Sequence, residues 1–519
     1  MRKYSVLFVA CGITLILRLW LLYAASVPFN SDEAVVGLMA RHINLGARPL
    51  FFYGQSYMGS LDAILIAGMF RILGESILSI RVVQILLYCI FLFTAYLLAR
   101  RLLQSERAAG LAVLVLAIPP VLVTTYTSAT LGGYGESLIF GNLILLLGYG
   151  VVFGGLERSG WAWGLLGLVG GLAFWTLGIA GVYLLAVAVV GMLRFRREML
   201  PGIYIAAGAF LLGSAPWWYE NLANDWAALD VLIGRSTLSL VPTTPSDRVI
   251  GFLLLGLPAL LGIRRPWESG LEPFWVQLWG LLLFFGLLVF VFESRRRKLS
   301  LFTPGGGLFL GVFVGGFFVV FLGTNFGLDS TGRFLLPLYL PLGLGFGLIA
   351  DRLWRRALAA GIGLVVLVMG FNLVGVLRAA GSPAGLTTQF DPITEFDNEH
   401  DAELIDFLSE NGLERGYSNY WVAYRIAFLS GEEIIYSPRL PYKSDLSYTA
   451  ADNRYRPYDQ LAMTAEEPAY ITTKHPELDA RLAAQWEAAG IAYRERVIGP
   501  YHVYYDFSEP VLPGDLNFP

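Results

Sequence analysis

Between Tyr4 and Leu377 the chain returns again and again to apolar runs of roughly 17–25 residues, each long enough to cross a bilayer. Inside lipid a backbone can satisfy its own hydrogen bonds only as a helix or a closed barrel, and runs of this length are helical. The sequence therefore specifies a polytopic α-helical membrane protein. Composition supports this: 56% of residues are hydrophobic and 15% charged, with a mean hydropathy of +0.59, outside the range of ordinary soluble domains. The acids are unevenly spread. Of 40, 23 lie at or after Asp391. A multi-span membrane domain over 1–380 and a water-exposed domain over 381–519 follow from that shift.

Basic clusters set the expected orientation. Arg2 and Lys3 place the N-terminus in the cytoplasm, before a first, retained span at Tyr4–Ala24. A long external loop, 26–76, comes next. Further spans are expected at Ile77–Leu98, Ala108–Thr124, Tyr134–Phe153, twice within Trp161–Leu193, then Gly202–Trp217, Phe274–Phe292, Gly305–Leu322, Leu335–Ile349 and Ala357–Leu377. Arg264–Arg265 and Arg295–Lys298 cannot both be cytoplasmic if the stretches before them both cross. Val249–Ile263, which contains Pro258, is accordingly read as interfacial or re-entrant. The total is about 11 crossings, with 12 or 13 as alternatives, in a cytoplasmic (inner) membrane with the C-terminal domain extracytoplasmic.

That domain reads as a small α/β unit. Ala402–Asn411 and Pro476–Ala489 have amphipathic helical patterns, and Ala469–Thr472, Ala492–Val497 and Tyr501–Phe507 read as strands. The aromatic stretch G-Y-S-N-Y-W-V-A-Y-R (Gly416–Arg425) suits either a core or a binding surface. The net charge of −3 gives no sign of a nucleic-acid partner. Cys11 and Cys89 fall in apolar runs, and His42, His400, His475 and His502 are too scattered for zinc.

Candidate chemistry gathers in the outward loops. The first holds Asp32, Glu33, Tyr53, Gln55, Tyr57 and Asp62, and the second Tyr134 and Glu136. Glu220 and Asn221 follow the seventh span, and Asp329 and Arg333 precede the penultimate one. A carboxylate near the membrane plane can take a proton from an attacking hydroxyl or amine, while an arginine fork suits a phosphate. Together they describe transfer of a group from a lipid phosphate. Each residue also has a plainer use. Asp32 and Glu33 suit the first turn of a helix capped by Ser31, Glu136 suits a helix start, and Arg333 could anchor a span to headgroups. Arg81 and Arg235 are weaker phosphate candidates. Arg18 lies deep in the first span.

Several stretches resemble the type C glycosyltransferases, in particular the bacterial branch related to protein O-mannosyltransferases and lipid A aminoarabinose transferases. They are S-D-E at Ser31–Glu33 with the following F-F-Y-G-Q-S-Y-M-G-S-L-D, then G-L-A-F-W-T at Gly171–Thr176, P-W-W-Y-E-N-L at Pro216–Leu222 and D-S-T-G-R-F-L-L-P-L-Y at Asp329–Tyr339. The resemblance spans roughly residues 1–380. It implies sugar transfer from a polyprenyl-phosphate donor to a lipid, glycan or protein acceptor on the outer face of the membrane, among membrane lipids. Asp32 then matches the family's catalytic acid, with Glu33 beside it, and Arg333 sits where a phosphate contact would fall. Some relatives use a divalent ion. The acids here permit one and nothing in the sequence demands it. Aminoarabinose transferases place a lysine before the second loop helix, where this chain has Gln55, Ser56 and Tyr57. Two other classes are a flippase for lipid-linked sugars, which would place ionisable groups along its spans, and a non-catalytic glycan-binding scaffold.

Overall fold

In a computed structural model of the chain, residues 4–232, 244–268, 270–324, 329, 331–391, 393–395 and 398–515 are described. Arg2, Lys3 and Arg235 lie outside the described residues. Seven described helices are long and apolar enough to cross a membrane, or up to 9 if each of two bent pairs is one span. Two shorter apolar helices, Gly160–Thr176 and 178–193, lie between them. The expected count of about 11 is reached only if both bent pairs and both short helices cross.

The breaks have local causes. The expected single span Ala108–Thr124 is two helices, Glu106–Ala117 and Val121–Ser128, bent by 73°. Pro119 and Pro120 lie between them; proline has no N–H to donate and restricts the residue before it. The carbonyls this frees are satisfied by other helices. Leu116 O accepts from Tyr88 Oη (2.8 Å) and Tyr339 Oη (3.2 Å), Ala117 O from Thr14 Oγ1 (2.8 Å), and Ile118 O from Asn372 Nδ2 (2.8 Å). The expected span Gly202–Trp217 likewise divides, into Leu200–Gly213 and Ala215–Ala223, bent by 57° just before Pro216. Val249–Ile263 falls mostly in one helical run of three abutting pieces, Pro245–Gly251, the wider-wound Phe252–Gly256 and Leu257–Leu260, which is not among the candidate spans.

Arg18, the one expected mid-span charge, serves the first break. Its guanidinium donates to the Thr127 carbonyl, to Thr127 Oγ1 (2.6 Å) and to Ser128 Oγ (3.1 Å), and lies 4.1 Å from the Tyr88 ring. Arg81 donates to Ser128 O at 2.9 Å. Both cations thus meet the C-terminal end of Val121–Ser128, where the helix dipole favours positive charge. That local role leaves the flippase reading without its mid-span charge.

The chain divides into two compact units, one of Met1–Ser26, Ser56–Asp62 and Arg81–Gly381, the other of Val27–Gln55, Ala63–Ile80 and Ser382–Pro519. The second contains a five-stranded sheet: β1 Arg415–Ser418, β2 Ile435–Pro438, β3 Ala469–Thr473, β4 Arg494–Ile498 and β5 Tyr501–Tyr505, in the order β2-β1-β3-β5-β4. β1 runs parallel to β2 and β3, and β5 antiparallel to β3 and β4. The first two strands have no counterpart in the sequence expectations. Each has only four residues, and neither alternates, because nearly every position is buried. Helices Asp401–Glu410 and Tyr420–Leu429 contribute Leu404, Leu408, Val422 and Ile426 to one core. Pro476–Ala488 contributes Leu478, Leu482 and Trp486 to another, around Tyr417, Tyr470 and Tyr504. Gly416 in β1 is obligatory by space: a Cβ there would sit 2.0 Å from the Ala469 carbonyl oxygen.

Candidate functional site

Helix Ser31–Asn44 belongs to the second unit. Its cap is Asn30, not Ser31: Asn30 Oδ1 accepts from the Glu33 N–H at 3.2 Å, while its Nδ2 donates to Thr388 Oγ1 at 2.7 Å. Ser31 is fully buried and already inside the helix. The reason is conformational, since Asn30 has the extended backbone a cap requires. The helix packs on Tyr420–Leu429, and Gly37 allows the approach: a Cβ would meet the Phe428 ring at 2.6 Å.

With the cap supplied by Asn30, Asp32 turns outward and is only partly buried. Its Oδ1 accepts a 2.5 Å hydrogen bond from the hydroxyl of Tyr420. Glu33, next in sequence, is fully buried. Asp452 lies within electrostatic reach of Asp32, and burial pushes its carboxyl up to about 6 against the opposing pull of Arg454 and Lys443. Tyr420 was not among the expected site residues. Its only sequence signal was membership of the Gly416–Arg425 aromatic stretch, of which Tyr417 and Tyr424 are core residues.

Tyr53 and Gln55 share this unit but do different work. The Tyr53 hydroxyl pairs with His42 Nδ1 at 2.9 Å and its ring stacks on Tyr455 at 4.6 Å. His42 Nε2 meets Glu432 Oε1 at 2.9 Å, and that oxygen also accepts from Tyr458 Oη at 2.6 Å. These bonds tie the loop to the C-terminal segment. The Gln55 N–H donates to Phe52 O at 3.0 Å, in a turn where Gly54 has φ +69°.

The first unit holds the remaining candidates. Asp62 is 2% exposed and accepts from Gln84 Nε2 (3.1 Å) and from the Thr130 hydroxyl. Burial raises its carboxyl above the usual range, partly offset by those hydrogen bonds. Glu136, also 2% exposed, is within electrostatic reach of it. Asn221 is spent locally, donating to Trp217 O (2.8 Å) and accepting from the Leu229 N–H (3.0 Å). Among the described residues no three His, Cys, Asp or Glu side chains converge as a metal site.

Arg333 sits in a tight turn. Asp329 Oδ1 accepts from the Thr331 N–H at 2.8 Å, Gly332 takes φ +80°, and Asp329 Oδ2 pairs with Arg333 Nε at 2.5 Å. The short D-x-T-G-R spacing builds this: an acid bonding two residues on, then a residue free of a Cβ penalty at positive φ. Anchored at Nε, the Arg333 Nη groups make no hydrogen bond to a described residue, and Tyr134, Tyr126 and Tyr57 lie within electrostatic reach. Phe334 and Tyr57 in turn line an apolar cavity of about 370 Å³, with Ile179, Val182, Phe317 and Val320 along its walls.

Residues 61–219 match the family described as dolichyl-phosphate-mannose-protein mannosyltransferase. The whole chain superposes on ArnT from Cupriavidus metallidurans in the apo state, with TM-score 0.60, 12% identity and 98% of each chain covered. The chain has the type C glycosyltransferase fold. A second ArnT structure, bound to undecaprenyl phosphate, matches with TM-score 0.59 and 12% identity over 97% of this chain and 98% of that one. The oligosaccharyltransferase AglB from Archaeoglobus fulgidus, in complex with an inhibitory peptide and a dolichol-phosphate, matches at TM-score 0.51 and 13% identity, covering 91% of this chain and 69% of that one. No curated protein matches the sequence. The type C fold accounts for a multi-span helical region followed by a small sheet-containing domain.

Proposed function

We propose that the chain is a membrane glycosyltransferase that takes a sugar from a polyprenyl-phosphate donor and passes it to a hydroxyl or amine on the extracytoplasmic face of the inner membrane. The observation that carries this is the pairing, within one unit, of an apolar cavity of about 370 Å³ with a held arginine whose Nη groups make no hydrogen bond to a described residue. A prenyl chain suits the former by apolar burial, and a phosphate suits the latter by its two-oxygen fit to a guanidinium. The ArnT and AglB structures with bound prenyl phosphates support the same class of donor.

Asp32 is the base in this reading. The nucleophile loses its proton to the carboxylate and attacks the anomeric carbon, and the lipid phosphate departs with the bonding electron pair. One displacement inverts the anomeric centre. Arg333 holds the phosphate charge. Glu33, wholly buried, supports the helix that presents Asp32 rather than meeting substrate.

Donor-dependent sugar transfer by the purified chain in detergent tests the assignment, and no transfer from any prenyl-phosphate sugar would refute it. Val320→Trp, which fills the cavity, is expected to raise the donor KM by at least about 10-fold, the loss of roughly 1.4 kcal/mol of apolar binding. An unchanged KM would mean the prenyl chain lies elsewhere.

A further inference from the structure

Helix Tyr420–Leu429 begins with a second cap. The Asn419 side-chain oxygen accepts from the N–H groups of Trp421 (3.0 Å) and Val422 (3.2 Å), and its Nδ2 donates to Thr473 Oγ1 in β3 (2.9 Å). Tyr420 is the first residue beyond that cap and is 2% exposed. Its ring is boxed by the Arg454 guanidinium at 5.4 Å, the Trp421 ring at 5.0 Å and the Tyr424 ring at 5.5 Å. Its hydroxyl donates to Asp32 Oδ1, 2.5 Å away.

Asp32 is fixed with equal care. Its helix is pinned through Asn30 to Thr388, and because Asn30 does the capping, the Asp32 carboxylate makes no bond to its own helix end. A carboxylate placed only to cap or to favour the dipole would turn toward the free N–H groups of the first turn. This one reaches out to a residue 388 positions away.

We propose that Tyr420 is a positioning residue for sugar transfer: its hydroxyl holds Oδ1 of Asp32 so that Oδ2 is the oxygen that takes the acceptor's proton. The proposal rests on Asp32 being the base. In the step, the acceptor's O–H or N–H bond breaks and its proton passes to Oδ2. The acceptor atom bonds to the anomeric carbon, and the bond from that carbon to the phosphate oxygen breaks with its electrons on the phosphate. Burial first, and then the charge of Asp32, holds the Tyr420 hydroxyl protonated far above neutral pH, so it stays a donor throughout the working range. The C-terminal segment thereby belongs to the catalytic apparatus and is not a mere cover.

The test is Tyr420→Phe in the full chain, which keeps the ring and removes only the hydroxyl. Loss of one hydrogen bond to a charged group lowers kcat by about 10–100-fold. The donor KM should hold. In an Asp32→Asn background the same change should add no further loss, because residues acting as a unit are not additive. Wild-type kcat in Tyr420→Phe, alongside an inactive Asp32→Asn, would overturn the positioning role and leave the base intact. A loss that only tracks a lower melting temperature, or that appears in the donor KM with kcat unchanged, would also overturn it. Full activity of Asp32→Asn would strike the base assignment itself, and this proposal with it.

Discussion

Asp32→Asn should lower sugar transfer by about 10²–10⁴-fold, the usual contribution of a positioned general base, while the protein still inserts and purifies as a folded chain. The substitution is nearly isosteric, and the amide oxygen can still accept from Tyr420. What it removes is the ability to take a proton. If Asp32 served only the helix, the variant would lose one first-turn charge, worth roughly 0.3–1 kcal/mol of stability, and would transfer sugar normally. The cap geometry already weighs against that alternative, because Asn30 supplies the side-chain bond to the first turn. Transfer measured on protein matched for insertion and melting temperature decides between the two.

Arg333→Glu should reduce kcat/KM for the donor on the order of 10²–10³-fold, the size of effect seen when one preorganised donor to a developing oxyanion is lost. The Asp329 ion pair at 2.5 Å would become a repulsion between two carboxylates, so the variant also risks disturbing its own turn. Arg333→Lys separates the two effects. It keeps the charge near Asp329 and loses the planar fork, so the turn survives and donor use still falls. If Arg333→Lys uses donor as well as the natural chain, a two-oxygen phosphate contact is not what Arg333 provides. If instead both variants fail to insert, Arg333 anchors its span.

Most of the membrane region was legible because hydropathy is summed over a window the length of a bilayer, and such a sum tolerates local error. The first span, Ile77–Leu102, Tyr134–Val152 and Leu358–Ala380 all fall where the apolar runs placed them. The same averaging hid the break at Pro119–Pro120, where two residues overrule a dozen apolar neighbours. In the C-terminal domain, β3, β4 and β5 carried recognisable strand composition. β1 and β2, four residues each and buried almost throughout, carried none. The loop acids were visible as candidates, but their partners were not. Nothing in the local sequence joins Asp32 to Tyr420, and the expected cap, Ser31, gives way to Asn30 because it is Asn30 that has the extended backbone.

The four-helix repair of the break after Ala117 has a temporal side. The hydroxyls of Thr14 and Tyr88 precede the prolines in the chain, so those bonds can close as soon as the first helices are synthesised. The bond to Ile118 O comes from Asn372, 254 residues later, in the last candidate span. Until that helix arrives, this carbonyl has no protein donor among the described residues, and an unpaired backbone group in hydrocarbon costs several kcal/mol. Biogenesis of this membrane domain should therefore finish with a locking step rather than accumulate stability evenly. Ribosome-arrested chains ending before Asn372 should show proteolytic opening near residues 117–121 that closes once the last helix is released. Equal protection before and after would mean that water or lipid headgroups fill the gap in the meantime.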